Sequence, residues 1–457
     1  MNLDLKIDFS RARASAVTAQ HGLSPAELSA MEARISDGHR ALVEDRRRGR
    51  QGFYDLYKDR EMLSAVTKTA KKFAKTEFDN LVVLGIGGSA LGISALFTSL
   101  KSPYHNLLTR EERQGCPRVF VMDNIDPDTF AAMLEICPPE KTLFNVISKS
   151  GGTAETIAQL LIVLESLERA VGHDAVKRHV VITTGPPPRK GPRSPIQQIK
   201  QAFRLQGFEV PRNVGGRFSI FTPVGMFPAA LMGIDLTELT AGCRAMDRRT
   251  SKRAMKDNPA YVRAGIHCIM SEKKNKTLAV MMPYTDRLRD ISDWYRQLWA
   301  ESLGKRLGLD GQAVPPFAAQ TPIKALGVTD QHSQLQQFLE GPNDKVVTIL
   351  ETPTFERNLK IPDVLPSLTG IDYMRGKTMN RLIASERKAT ADALREADRP
   401  VLGIVLPRIN AHTIAQLLYM LEVETAMAGQ LFGVNAFDQP AVEAIKIFTR
   451  EYMEGKK

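Results

Sequence analysis

The chain has 457 residues, 43% hydrophobic and 25% charged, a globular balance that excludes intrinsic disorder as the overall state. Gly at 32 and Pro at 26 exclude collagen-like and low-complexity architectures, and the length predicts roughly two to four domain-sized units. Lys and Arg (62) exceed Asp and Glu (51) by 11, an excess that suits nucleic acid, membrane surfaces or phosphorylated metabolites without choosing among them.

Residues 1–75 read as a charged, helical N-terminal arm. Ser24 is placed as a cap, Pro25 as the first helical residue, and Leu28, Met31 and Ile35 follow at helical spacing. The basic run Arg46, Arg47, Arg48 and Arg50 reads as a solvated helix end, because no aromatic residues interleave with it. From residue 76 the pattern changes to short β-branched runs alternating with amphipathic segments, the signature of a parallel α/β sheet. Leu81 to Leu84, Val119 to Met122, Leu143 to Ile147 and Val180 to Thr183 read as buried strands, and 159–171 as a crossover helix. The Pro-rich, basic stretch 185–198 reads as an exposed, stiff loop. Mixed helix over 222–272 leads to a second set of strands, Leu278 to Met282, Lys345 to Leu350 and Leu402 to Leu406, separated by helical stretches at 287–303 and 379–396. The expected division is 1–75, a first α/β domain over 76–240, a second over 241–425, and a C-terminal helical segment over 426–457.

Cys116, Cys137, Cys243 and Cys268 are widely spaced, with no metal-ligand pattern, and read as reduced thiols. No apolar run approaches the roughly 18 residues of a spanning helix, and the acid-bearing N-terminus lacks the apolar stretch of a secretory signal. The expectation is a soluble, cytoplasmic protein.

Two stretches carry chemistry. In the first, the strand Leu81 to Leu84 runs into Gly85-Ile86-Gly87-Gly88-Ser89 and then an apolar helix, which lets main-chain N–H groups and the Ser89 hydroxyl approach an anion. A dinucleotide loop is the rival reading, but the glycines give no clean GxGxxG, and Asp123 falls later than the roughly 20-residue offset of a ribose-binding acid. A purely structural tight turn is the other. The second stretch, Ser148-Lys149-Ser150-Gly151-Gly152-Thr153, has the same layout of strand, small polar loop and helix; it offers three hydroxyls, a cation and two glycines to a phosphate at a helix N-terminus. Its alternative is a simple turn with Thr153 as helix cap. Further along, Gln297 and Glu301 stand four residues apart on one helical face, beside the core stripe Leu288, Ile291, Tyr295, Leu298 and Ser302. Position alone favours a surface Glu.

The two loops together with Gly215-Gly216-Arg217-Phe218-Ser219, Gln297 through Glu301-Ser302 to Gly304-Lys305, Asp330-Gln331-His332-Ser333, and Asn435 through Asp438-Gln439-Pro440 to Lys446 resemble the sugar isomerase (SIS) domain family, and within it the glucose-6-phosphate isomerase family, motif for motif and in order. The resemblance covers most of the chain. It implies an α/β fold of two doubly wound parallel-sheet SIS domains with N- and C-terminal helical arms, and a cofactor-free, metal-free aldose–ketose isomerisation in glycolysis and gluconeogenesis. It implies Glu301 as the proton-transfer base, Arg217 beside the enediolate, and His332 and Lys446 as ring-opening groups. It further implies Gly88, Ser89, Ser148, Lys149, Ser150, Thr153, Gln297 and Gln439 as substrate contacts. A homodimer with shared active sites follows from it too, His332 reaching the site from the partner, with no nucleic acid or membrane partner. Gly152 departs from the family pattern by removing a hydroxyl, so phosphate capture is expected to be weaker or to shift to N–H donors. Three alternatives stay open at this point: a non-catalytic sugar-phosphate-binding module on the same fold, an isomerase that also takes mannose 6-phosphate, and a nicotinamide-dependent oxidoreductase.

Overall fold

The computed structural model describes residues 3–76, 78–314 and 319–456, apart from the side chains of residues 443 and 444. The N-terminal arm opens with a short strand, β1 (Lys6–Asp8), followed by α1 (Pro25–Arg47) and α2 (Arg60–Ala74). Helix α1 starts where the Ser-Pro signal puts it. Ser24 Oγ accepts from Glu27 N at 3.2 Å, and the Glu27 carboxylate accepts from Ser24 N at 2.9 Å, so two otherwise orphaned donors are satisfied reciprocally.

The first sheet comprises β2 (Asn80–Leu84), β3 (Arg118–Met122), β4 (Thr142–Ser148), β5 (Val180–Thr184) and β6 (Gln206–Glu209), with α3 (Leu91–Leu100), α4 (Pro127–Ile136), α5 (Ala154–Val171) and α6 (Pro195–Ala202) between them. Three helices, α7 (Pro223–Leu231), α8 (Leu236–Thr250) and α9 (Pro259–Lys274), lead into the second sheet. That sheet holds β7 (Leu278–Pro283), β8 (Thr321–Lys324), β9 (Lys345–Glu351) and β10 (Val401–Val405), with α10 (Arg289–Leu303), α11 (Leu335–Glu340) and α12 (Met379–Glu396) as its helices. The chain ends with α13 (Ala411–Phe432) and α14 (Glu443–Met453).

The first sheet has the order β3-β2-β4-β5-β6 and is parallel throughout. The second has the order β1-β10-β9-β7-β8, parallel except for β1, which pairs antiparallel with β10. Without β1 and β6, the two sheets run through their four remaining strands in the same order, β3-β2-β4-β5 matching β8-β7-β9-β10, a repeat of architecture that the amino-acid pattern does not display. The order reverses between β2 and β4 in one sheet and between β7 and β9 in the other, and it is at such reversals that a crevice opens beyond the strand ends. Strands β2, β4 and β5 are buried along their whole length, as sheets covered on both faces require. Helix α13 is apolar nearly all round and lies in the core, packed against α8, α9, α10 and α1.

Several sequence expectations change here. The arm is not wholly helical, because β1 extends the second sheet. Strands β6 and β8 escape the sequence pattern because QGFE and TPIK are short and only partly buried, with no β-branched run. The exposed loop expected over 185–198 ends at 194: Ser194-Pro195 starts α6 with the same signal that starts α1. Arg46 is not part of a solvated run, since its guanidinium lies 2.8 Å from Asp247 and 2.7 Å from Asp55, while Arg47, Arg48 and Arg50 pair locally with Glu44 and Asp45. The expected boundaries at 240 and 425 fall inside α8 and α13. The C-terminal helix α14 shows large apolar side chains to solvent, Ile445 at 65% and Phe448 at 48% exposure.

Candidate active site

The crevice between β2 and β4 is lined by the two loops the sequence singles out. Beyond β4, Ser148 Oγ and Thr153 Oγ1 lie 2.8 Å apart, and Ser150 Oγ stands 3.5 and 3.4 Å from them. Thr153 occupies the cap position of α5 but makes no side-chain cap bond. Its hydroxyl is turned into the cluster, which leaves the first N–H groups of α5 facing the loop, an arrangement suited to an oxyanion. Gly151 makes the turn possible: its φ is +67°, and a side chain there would also overlap Ser194. Gly151 N donates to Ser148 Oγ at 3.1 Å and Gly152 N to Ser150 Oγ at 3.3 Å, so main-chain donors of the loop orient its hydroxyls. Lys149 is half-buried, and its amine is held below the ordinary lysine range by burial and by the Arg217 charge.

Beyond β2, Gly87 and Gly88 pack directly against the neighbouring elements. A Cβ on Gly88 would overlap the Gly216 main chain, and one on Gly87 would lie 2.8 Å from Gln297 Nε2. The glycines are thus needed for the close approach of the Gly215-Gly216-Arg217 turn and of α10, whatever ligand Ser89 and the nearby N–H groups meet.

On the far side of that glycine turn lies an ionic cluster. Arg217 is 2% exposed and its fork is fully committed: Nε donates to Ser302 Oγ at 2.7 Å, Nη1 to Gln439 Oε1 at 2.5 Å and Glu301 Oε2 at 3.3 Å, and Nη2 to the carbonyls of Ala436 at 2.6 Å and Asp438 at 3.0 Å. Burial lowers its pKa, opposed by Glu301 and Asp438. Gln297 Nε2 donates to Glu301 Oε1 at 3.0 Å, the i,i+4 pairing the sequence predicts. Each Glu301 oxygen therefore has one fixed donor, while a third of its side chain faces solvent. Lys305 closes the end of α10 by donating to the carbonyls of Glu301 at 2.5 Å, Ser302 at 3.1 Å and Asp438 at 2.8 Å. Behind α10, the buried pair Arg263–Glu424 (2.7 Å) and the His267 ring, 5.1 Å from Trp299, back the helix. Burial and the Arg263 charge push His267 down to about 3, so it is neutral there.

Sequence comparison settles the family. The phosphoglucose isomerase family model matches residues 56–455. The chain belongs to that family. Phosphoglucose isomerase relatives include the glucose-6-phosphate isomerases of Carboxydothermus hydrogenoformans, 42% identical over 99% of this chain and 96% of that one, and of Rubrobacter xylanophilus, 39% identical over 94% of each. Among solved structures, a hypothetical protein from Thermus thermophilus superposes with a TM-score of 0.86 at 32% identity, over 98% of this chain and 100% of that one. A glucose-6-phosphate isomerase from Chlamydia trachomatis shares the fold, with a TM-score of 0.82 at 20% identity over 99% and 89%.

Two of the residues implied by the phosphoglucose isomerase resemblance lie outside the cluster. His332 is exposed and follows a 3₁₀ turn (Thr329–Gln331). Its neighbours bond within the β8–α11 turn and to α12, Asp330 to Leu326 N and Gln331 to Glu386. Among the described residues no hydrogen bond or ion pair joins it to Glu301. Lys446 lies on exposed α14, beyond the Asn435–Gln439 turn that Arg217 pins. Ser302, Lys305 and Asp438 stand within the sequence motifs with no role of their own; nothing short of the fold reveals that they share Arg217 and the end of α10.

Proposed function

We propose that this chain interconverts D-glucose 6-phosphate and D-fructose 6-phosphate through a cis-enediol. The reading rests above all on Glu301, held between Gln297 and Arg217 across a glycine turn from the hydroxyl cluster of residues 148–153. A sugar phosphate anchored on Gly88 N–H, Ser89, Ser148, Lys149, Ser150 and Thr153 would extend its open chain toward Glu301. The carboxylate takes the proton from C2 of the aldose, negative charge grows on the C1 carbonyl oxygen, the O2 hydroxyl proton passes to O1, and the carbon proton is returned to C1 as O2 becomes the ketose carbonyl. Arg217 supplies a preorganised positive charge where that oxyanion develops, and its five bonds keep it from reorganising as the charge appears. The substrate and product have the same overall oxidation level, so the reaction asks for no external oxidant or reductant.

In this reading Gln297 and Gln439 orient sugar hydroxyls, and Lys446 and the partner subunit's His332 open and close the hemiacetal. The exposure of His332 away from the Glu301 cluster, and the uncovered apolar face of α14, support a homodimer in which each site is completed by the other chain. No helix among the described residues is long and apolar enough to cross a membrane, which fits the cytoplasmic placement we infer.

Conversion of fructose 6-phosphate to glucose 6-phosphate by the purified chain tests the proposal, with Glu301→Gln beside it. The parent is expected to turn over, and the variant to lose about a hundred- to ten-thousand-fold in kcat, the range of a positioned general base. An inert parent whose melting temperature still rises with sugar phosphate would replace the enzyme by a binding module.

A further inference from the structure

The Pro-rich basic segment has no part in the reaction just described, yet it is tied to both sides of the hydroxyl loop. Gly185 N donates to Lys149 O at 3.0 Å, and Ile196 N donates to Gly151 O at 3.2 Å. The Gln197 amide closes the segment on itself by donating to Gly185 O at 2.9 Å while accepting from Ser194 N at 3.1 Å. Five prolines between 186 and 195 restrict the backbone in between. The next connection joins it: Lys149 Nζ donates to Arg212 O at 3.4 Å, and the Arg212 guanidinium reaches the carbonyls of Pro186 and Pro187. The segment is therefore an arm clamped to the loop at fixed points.

Its charge is one-sided. Residues 185–212 carry Arg189, Lys190, Arg193, Lys200, Arg204 and Arg212 against a single acid, Glu209. At the end of α1, by contrast, Arg47, Arg48 and Arg50 are matched by Glu44 and Asp45. Among the described residues none of the six forms an ion pair. Glu155, in the first turn of α5, is the acid on the opposite flank of the loop. In strand order the arm follows β5, while the glycine turn that contacts Gln297 follows β2, with the hydroxyl loop of β4 between them. By strand order, residues 185–194 of the arm thus flank the hydroxyl loop on the side opposite the glycine turn.

We propose that the arm is a second anion subsite, contiguous with the hydroxyl loop, and that a linear diphosphate spans the two. One phosphoryl group sits on Ser148, Ser150, Thr153 and the N–H groups of α5, and the next is met by Arg212 and the arm's cations. A diphosphate so bound occupies the sugar-phosphate position and competes with substrate, without a covalent step. The inference rests on the phosphate role given to the loop of residues 148–153, and its ligand class is set by geometry: a second phosphoryl attached at the sugar end would point toward Glu301, away from the arm.

The test compares inorganic pyrophosphate with orthophosphate as competitors of fructose 6-phosphate, in metal-free buffer at constant ionic strength, for the parent and for R189Q/K190Q/R193Q/R212Q. The parent is expected to bind pyrophosphate at least about tenfold more tightly than orthophosphate, and the variant to lose about that factor, the scale of one charge-assisted hydrogen bond. Orthophosphate inhibition and the KM for fructose 6-phosphate are expected to stay within about threefold. An unchanged pyrophosphate preference in the variant, or non-competitive inhibition, overturns the subsite and leaves the isomerase standing. Melting temperatures with each anion give a readout independent of turnover: if the parent is inert but pyrophosphate stabilises it more than the variant, the subsite stands and the isomerase reading falls. The double variant R189Q/K190Q, which touches only exposed side chains, repeats the comparison should the fourfold variant not fold.

Discussion

In the first sheet the crevice between β2 and β4 receives Gly85-Ile86-Gly87-Gly88-Ser89 and Ser148 to Thr153: small residues, bare N–H groups and hydroxyls turned toward one another. In the second sheet the corresponding crevice between β7 and β9 receives Tyr284-Thr285-Asp286-Arg287 and Thr352-Pro353-Thr354-Phe355-Glu356. There Tyr284 is buried, Thr285 Oγ1 accepts from Arg287 N at 3.4 Å, and the Arg287 guanidinium is spent on Glu356 at 2.6 Å and Ser99 O at 2.8 Å. The same strand order therefore makes two crevices, and among the described residues the hydroxyl cluster proposed to hold phosphate lies at the first of them. Order opens the space; loop side chains decide whether an anion finds donors in it.

The second sheet contributes something else. Its helix α10 leaves the occupied crevice behind and brings Glu301 and Ser302, near its far end, against the Arg217 turn of the first half. In the proposed reaction the reacting groups belong to the joint between the halves, and the sharpest way to break that joint is at Arg217. Arg217→Lys keeps a charge but forfeits the fork that holds Ser302, Gln439 and two carbonyls; kcat for fructose 6-phosphate is expected to fall about a hundred- to a thousandfold with KM little changed. A loss confined to KM would mean that Arg217 only binds substrate.

The phosphate side is expected to respond in the opposite sense. Thr153→Ala removes the hydroxyl 2.8 Å from Ser148 and none of the ionic cluster, so KM should rise about tenfold while kcat stays within a few-fold. A collapse of kcat at saturating substrate would erase the division of labour between the two regions.

Helix α13, which both halves share, carries a cost of its own. Glu422 is fully buried, neither carboxylate oxygen has a hydrogen-bond partner among the described residues, and burial raises its pKa well above the ordinary 4.5. With the folded pKa above the unfolded one, this carboxyl favours the fold most below about pH 4.5, and that contribution is lost as pH rises toward the folded value. Glu422→Leu is therefore expected to stabilise the protein by about 1–3 kcal/mol at pH 8, with a smaller gain at pH 5, measured by urea unfolding. A gain equal at both pH values would show that packing, not ionisation, is responsible.

The smallest effect is expected in the second crevice, between β7 and β9. Glu356→Gln loosens an exposed ion pair with Arg287 and should change stability by less than about 1 kcal/mol, with kcat and KM unaltered. A change in KM there would show that the second crevice takes part in binding after all.

The first site half is largely legible without coordinates because its parts are contiguous. A buried β-branched strand, a small-residue loop and an amphipathic helix follow one another within about 30 residues, and each is set by short-range preferences. Even there the Thr153 hydroxyl has two readings, cap or cluster, and only the fold turns it toward Ser148. The second half is different. Arg217 meets Glu301 across 84 residues and Gln439 across 222, and neither separation leaves a periodic trace. Family resemblance names the three; no spacing rule brings them together.

What the amino-acid sequence determined by itself is local: the capped start of α1, the buried strands, the hydroxyl loop at a helix N-terminus, and the face shared by Gln297 and Glu301. What the tertiary structure alone decided is which distant segments meet. It set the burial of Arg217, the pinning of the 435–439 turn, the pairing of Arg46 with Asp247, and the exposure of α14. Backbone propensity acts over a few residues, whereas burial and charge pairing are settled by which surfaces the whole chain can cover at once.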